Sequence, residues 1–126
     1  MSASVTDFVK LWMNKEYEKA ESIIPQLRNR NFLYNGLPLL VYFIETNDIK
    51  GVETLLKNGA DPNIRLKNNM TTLLLACLHN NKEIVELLIE YGVNTTVYVN
   101  HEPKDITTLI DNEELKKIIN KHIETV

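Results

Sequence analysis

Apolar residues along this chain fall into short clusters with helical spacing, and polar turns separate the clusters. Leu40, Phe43 and Ile44 show the spacing of three and four positions that places side chains on one face of a helix. The pattern predicts a series of short helices, at 5–13, 16–27, 38–45, 49–57, 71–79, 82–91, 105–110 and 113–124. The chain is therefore predicted to be all-α.

The same clusters recur at a fixed interval. Leu55 and Gly59 reappear as Leu88 and Gly92, so each pair is 33 positions apart, and the apolar positions between them match as well. Both glycines follow a predicted helix, at the place where a residue without a Cβ ends a helix without strain. An interval of this length is typical of a stack of helical repeats.

The central residues 31–100 resemble the ankyrin repeat family. Residues 59–63, Gly-Ala-Asp-Pro-Asn, match that family's Gly-Ala-Asp-x-Asn loop in full, whereas residues 92–96 keep the glycine but have Val and Asn for Ala and Asp. The helix starts at 38–41 and 71–74 are similar to the family's Thr-Pro-Leu-His start, but both lack its His. The resemblance implies a helical solenoid of paired antiparallel helices joined by β-hairpin-type finger loops.

The pattern extends to both ends of the chain. Apolar positions from Phe8 to Ile24 lie 32 residues before those from Leu40 to Leu56, and Ile106 lies 33 residues after Leu73. We therefore expect about four repeats in one domain, residues 1–126. Their expected bounds are about 4–33, 34–66, 67–99 and 100–126.

Bulk properties narrow the class of partner. The chain has 126 residues and a formal net charge of −3, and no Lys/Arg face of the kind that nucleic acid binding requires is visible. No apolar run approaches the length of a membrane span. The lone Cys77 falls at a small-residue position inside the expected stack, which favours a reducing compartment. We expect a cytoplasmic protein without a nucleic acid or membrane partner.

The sequence contains no pattern that indicates catalysis. It has no Gly-rich phosphate loop, no Ser/His/Asp arrangement and no Cys/His metal spacing. We expect no catalytic residue, no metal and no cofactor. A zinc site or catalytic dyad at His79 and His101, which could line one face, is the weaker alternative, because tetrahedral zinc needs three or four ligands. Trp12 is expected in the core rather than in a ligand site, since its repeat partners Ile44 and Cys77 are predicted to face inward.

The resemblance also implies a surface for a partner protein. Members of the family usually bind proteins on a concave face made of finger tips and of the exposed ends of the first helices. Transferred by repeat position, the face comprises thirteen residues, here called the contact strip. They are Met13, Tyr34, Asn35, Leu37, Glu45, Thr46, Lys67, Asn68, Met70, Leu78, His79, Asn100 and His101.

Several members of the contact strip are apolar although a surface position is expected. Tyr34, Leu37, Met70 and Leu78 are the expected anchors, because clustered exposed apolar groups commonly mark a contact surface. The alternative is that neighbouring fingers and repeats cover some of them. The sequence therefore predicts a non-enzymatic module that binds another protein as an adaptor, inhibitor or sequestering factor. The alternative function is a structural subunit that forms homo-oligomers through the same strip, although a monomer is expected.

Overall fold

A computed structural model describes residues 3–27 and 31–124. The ends of the expected domain 1–126 and residues 28–30 of its first repeat lie outside the described residues. In order along the chain, the α-helices are α1 (Val5–Met13), α2 (Tyr17–Ser22), α3 (Leu39–Glu45), α4 (Ile49–Lys57), α5 (Thr72–Leu78), α6 (Lys82–Glu90) and α7 (Glu113–Glu124). Two antiparallel hairpins accompany them, formed by β1 (Leu33–Tyr34) with β2 (Leu37–Pro38) and by β3 (Thr96–Val99) with β4 (Glu102–Asp105).

The helices form pairs that stack side by side. Helices α1 and α2, α3 and α4, and α5 and α6 contact each other within pairs, and short turns join the partners. Between pairs, α3 contacts α5, α4 contacts α6 and α6 contacts α7. The units around Leu40 and Leu73 are therefore neighbours, as the repeat interval predicts. The fold is the ankyrin-type helical repeat stack.

One continuous apolar core runs through the stack. Phe8, Phe43, Leu73 and Ile119 come from successive units, and each is fully buried. Trp12 is 3% exposed and packs against the Phe43 ring at a centroid distance of 5.5 Å. The core position predicted for Trp12 is confirmed.

The turns inside the pairs depend on asparagine and aspartate. Asn47 and Asn80 adopt left-handed backbone conformations, with φ of 58° and 52°, which Asn tolerates better than most residues. Asp48 and Asn81 follow them and accept hydrogen bonds from the first backbone N–H groups of α4 and α6. These side chains satisfy donors that the helix itself leaves unpaired.

Two predicted helices are shorter than the apolar pattern indicates. The helix predicted at 16–27 ends at Ser22 and continues as a 3-10 helix, Ile24–Gln26, because Pro25 cannot donate the hydrogen bond that an α-helix requires. The helix predicted at 105–110 is only a 3-10 helix, Ile106–Thr108. Its first turn is held by the Asp105 carboxylate, which accepts hydrogen bonds from the backbone and hydroxyl of Thr107, and such local bonds compete with a longer helix.

The connector between the second and third units ends in a tight turn, residues 67–70, and lacks the strand ladder of the two hairpins. Asn68 and Asn69 both have left-handed backbone conformations, with φ of 60° and 59°. Two such residues in succession form a tight turn of the type that also closes β-hairpins. The connector still projects beside β3, with which it is in contact.

Candidate functional site

The ends of the first helices carry one part of the contact strip. Met13, Glu45 and Leu78 are the last residues of α1, α3 and α5. Met13 is 50% and Leu78 57% exposed. Thr46 and His79 follow as C-terminal caps and are exposed too. Repeat-equivalent positions thus lie at equivalent ends of neighbouring helices.

The first hairpin presents a second part. Asn35 and Gly36 form its two-residue turn with φ of 52° and 80°, a combination that suits tight hairpins. Leu37, in β2, is 60% exposed. Tyr34, in β1, is half-buried because its ring packs against the core. Of the two expected anchors in this hairpin, only Leu37 is fully at the surface.

The other two fingers complete the strip. Lys67 and Asn68 are exposed in the 3-10 turn, and Asn100 and His101 form the exposed turn between β3 and β4. Met70, expected as an exposed anchor, is instead half-buried. Its backbone N–H donates to the Lys67 carbonyl at 3.2 Å, so Met70 closes the turn that exposes Lys67 and Asn68.

The structure brings some strip residues into shared depressions. Met70 and His101 line a groove of about 550 Å³ between the second connector and the third hairpin. Glu45 and His79 line a smaller depression of about 350 Å³ beside the turns of the second and third units. His79 and His101 therefore line different depressions. They do not share one pocket, as a common zinc or catalytic site would require. Among residues 3–27 and 31–124, no group of three or more His, Cys, Asp and Glu side chains could hold a metal.

The sequence argument missed five exposed apolar side chains in the hairpins, in α3 and after β4. They are Leu33, Tyr42, Tyr98, Val99 and Leu109, of which Tyr98 is the most exposed, at 54%. Tyr42 lies one helical turn before Glu45, so the helical spacing could have indicated it. Tyr98 follows the buried Val97 in β3, where successive side chains point to opposite faces, so its exposure could be inferred only once the segment is known to be a strand.

The Cys77 thiol is unreactive at neutral pH. Its side chain is buried in the third unit, and burial raises the pKa of its thiol to about 11, because the charged thiolate is disfavoured away from water. The thiol therefore stays protonated and packs as a small apolar group. The surface can therefore bind other molecules through its shape, its exposed apolar groups and a few charges.

Comparisons with known proteins agree with the stacked helix pairs. Residues 3–110 match the model of ankyrin repeats in three copies. An ankyrin repeat protein of Fowlpox virus (strain NVSL) is 32% identical over 114 residues, which are 86% of this chain and 21% of that protein. An ankyrin repeat protein of Rickettsia bellii is 39% identical over 82 residues, 64% of this chain and 10% of that protein.

A further relative is a human cation channel subfamily member. Transient receptor potential cation channel subfamily A member 1 is 36% identical over 67 residues, 53% of this chain and 6% of the channel subunit. The chain thus spans about a fifth or less of the length of these relatives. Within the described part of this chain, no helix has the length and apolar character needed to cross a bilayer.

Proposed function

Because the chain belongs to the ankyrin repeat family, we propose that it binds a partner protein through the contact strip. The repeats of this family are generic protein–protein interaction modules and typically non-enzymatic. The observation that carries the proposal is the exposure of Met13, Leu37 and Leu78, each at least half accessible to water. Large apolar side chains clustered on a surface favour contact with another molecule over contact with water.

The contact strip is itself a preformed surface that can recognise a partner. Leu37 and Leu78 are the exposed anchors, whereas Tyr34 and Met70 are held partly within the stack. Side chains that are already fixed lose little conformational entropy when a partner binds. A stack of this size can offer a standard interface of about 800 Å² per partner. Binding energy then concentrates in a few anchors. The polar rim around them consists of Glu45, Lys67, Asn68, His79 and His101.

We propose further that the protein is monomeric and non-catalytic and that it acts in the cytoplasm. The buried, unpaired Cys77 supports the compartment, because a reducing environment keeps such a thiol intact. The consequence for the partner is inhibition, sequestration or bridging.

Affinity capture from cells that express the chain, followed by mass spectrometry, tests the proposal. The decisive variant combines Leu37→Glu with Leu78→Glu. It is expected to lose the partner while keeping its helical content and melting temperature, because both side chains are exposed. A control variant, Tyr91→Glu with Ile123→Glu, changes the charge equally at two exposed apolar positions outside the strip and is expected to retain the partner.

Two outcomes would contradict the proposal. One is a partner that both double variants retain equally, since the strip would then be irrelevant to binding. The other is a wild-type protein that forms dimers at rising concentration in light scattering, captures nothing else, and becomes monomeric in the Leu37→Glu, Leu78→Glu variant. That second result would establish the homo-oligomer as the function of the strip.

A further inference from the structure

The groove between the second connector and the third hairpin differs in charge from the rest of the molecule. Its walls are residues 62–66 and 69–71 on one side and parts of 94–101 on the other. Arg65 and His101 belong to this lining, and no Asp or Glu does. The whole chain carries a net charge of −3. The groove is therefore a local site that favours an anionic group.

The cation in this groove has no partner of its own. In the part of the chain that the structure describes, every ion pair uses a lysine. The Arg65 guanidinium makes no hydrogen bond, ion pair or ring contact with residues 3–27 or 31–124, and neither does the ammonium group of the nearby Lys67. Both side chains are exposed. Because an Arg presents several donors in a planar fork, it is well suited to a carboxylate.

The wall opposite Arg65 offers an apolar contact. Tyr98 is 54% exposed and lines the groove. Ile64 and Met70, on the connector side, are half-buried and line it too. A ligand that fits must therefore carry an apolar group beside its negative charge. The volume of about 550 Å³ is in the range that holds a small ligand or a few side chains.

We propose that the groove takes an acidic, extended peptide segment of the partner protein. A carboxylate of the segment binds the Arg65 guanidinium, with Lys67 adding to the positive potential, and a neighbouring apolar side chain packs against Tyr98 and Met70. The inference rests on the proposed function and specifies what the partner must look like at this point. A nucleic acid fits less well, because a backbone of phosphates calls for a row of cations rather than one arginine and one lysine.

A selection from a library of random linear peptides, displayed with unmodified residues only, tests the proposal directly. The selected peptides are expected to share an Asp or Glu next to an apolar residue. The dissociation constant of one such synthetic peptide is then measured by fluorescence polarisation. For Arg65→Gln it is expected to rise about tenfold or more, which corresponds to the loss of a charge-assisted hydrogen bond. Tyr98→Thr, which removes the ring but puts another residue that favours strands in its place, is expected to weaken binding as well.

Two matched controls isolate the charge at this site. Lys117→Gln removes one exposed positive charge in α7, outside the groove, and is expected to leave the dissociation constant unchanged. Replacing the Asp or Glu of the peptide by Asn or Gln is expected to weaken its binding to the wild-type protein, but much less its binding to Arg65→Gln. Far-UV circular dichroism and melting of each variant confirm that the fold is kept.

Three results would overturn the inference. They are selected peptides without acidic residues, acidic peptides whose binding is unaffected by Arg65→Gln, and a selection that enriches no peptide. None of them contradicts the proposed function, which depends on the anchors Leu37 and Leu78 and is tested by capture of a whole partner protein. If the Leu37→Glu, Leu78→Glu variant loses the partner and any of these three results is found, the proposed function is supported. The inference that the partner binds through an acidic segment is then refuted.

Discussion

Gly51 lies where α4 packs closely against α3 within one pair. A Cβ built at this position would lie 2.5 Å from the Phe43 ring. Phe43 is fully buried, so its ring has no room to move away. Repeat-equivalent positions carry Lys19 and Ile84, which shows that the close contact belongs to this unit alone. A glycine here serves packing rather than backbone flexibility.

We predict that Gly51→Ala destabilises the protein although alanine is the better helix former. The gain in helix propensity, about 1 kcal/mol, is outweighed by overpacking of typically 1 to 3 kcal/mol, so the free energy of unfolding is expected to fall by about 1 kcal/mol. Urea denaturation measures the change. Glu53→Ala, at an exposed position of the same helix, serves as control and is expected to shift stability by less than about 0.5 kcal/mol. A stabilised Gly51→Ala variant would contradict the packing at Phe43.

Trp12 joins the first unit to the second in two ways. Its ring packs among Phe8, Tyr17 and Phe43, and its Nε1–H donates to the Asp48 carboxylate at 2.8 Å. Asp48 also caps α4 through the Gly51 N–H. The carboxylate thus holds a helix end and the neighbouring unit together.

We predict that Trp12→Ala lowers the free energy of unfolding by about 3 to 5 kcal/mol through the cavity it leaves. Trp12→Phe keeps most of the ring but loses the hydrogen bond to Asp48, and is expected to cost about 1 to 2 kcal/mol. Chemical denaturation of both variants checks the order. A Trp12→Ala variant as stable as the wild type would mean that the first unit is not packed on the second.

At the level of whole elements, polar side chains link each unit to the next. The side-chain amide of Asn81 donates to the side-chain oxygen Oδ1 of Asn47, and that of Asn112 donates to Oδ1 of Asn80 at 3.1 Å. Asn63 spans the loops of the second and third units, where it accepts from the backbone N–H of Asn94 at 2.6 Å. The first two links join turns that begin helices, whereas Asn63 and Asn94 lie in the loops that follow α4 and α6. The links fix how far one helix pair is displaced along its neighbour.

The two roles of Asn81 can be separated by substitution. Asn81 also caps α6 through the Ile84 N–H. We predict that Asn81→Ser keeps the cap but loses the link between units, at a cost of about 1 kcal/mol. Asn81→Ala is expected to lose both and to cost about 2 kcal/mol in total. Thermal and urea unfolding of the two variants measure the difference, and equal stability of Asn81→Ser and wild type would show that the link contributes nothing.

The helix pairs could be predicted from the sequence because their apolar positions repeat every 33 residues. The shape of the connectors could not. The resemblance implies β-hairpin-type finger loops, and two hairpins are present, yet the connector at 67–70 is a tight turn without a strand ladder. The strip was placed by repeat position, which fixes where a residue lies along an element but not how deeply its side chain is buried. The half-buried state of Tyr34 and Met70 could therefore not be predicted.

At the scale of the whole molecule, the units share one core and no single pair can bury its apolar face alone. Cys77 belongs to that core, so the reactivity of its thiol shows when the core opens. Because the thiol is buried and its pKa is raised to about 11, it reacts with thiol reagents only when the surrounding structure opens.

We predict that Cys77 is labelled only through global unfolding. The free energy of opening obtained from labelling rates near neutral pH is expected to agree within about 1 kcal/mol with the free energy of unfolding from urea denaturation. Since the wild-type chain has a single cysteine, the signal is unambiguous. Labelling through an opening that costs several kcal/mol less would show that the third unit unfolds on its own.

The account depends most on the contact strip being the surface that meets the partner, and site-specific photo-cross-linking tests this directly. A photoreactive phenylalanine analogue replaces Leu37 or Leu78 in one set of proteins and Tyr91 or Ile123, exposed apolar positions outside the strip, in another. The account predicts that the same partner protein is cross-linked from Leu37 and from Leu78 and not from the other two positions. Cross-linking of a partner from Tyr91 or Ile123, with none from Leu37 and Leu78, would contradict it.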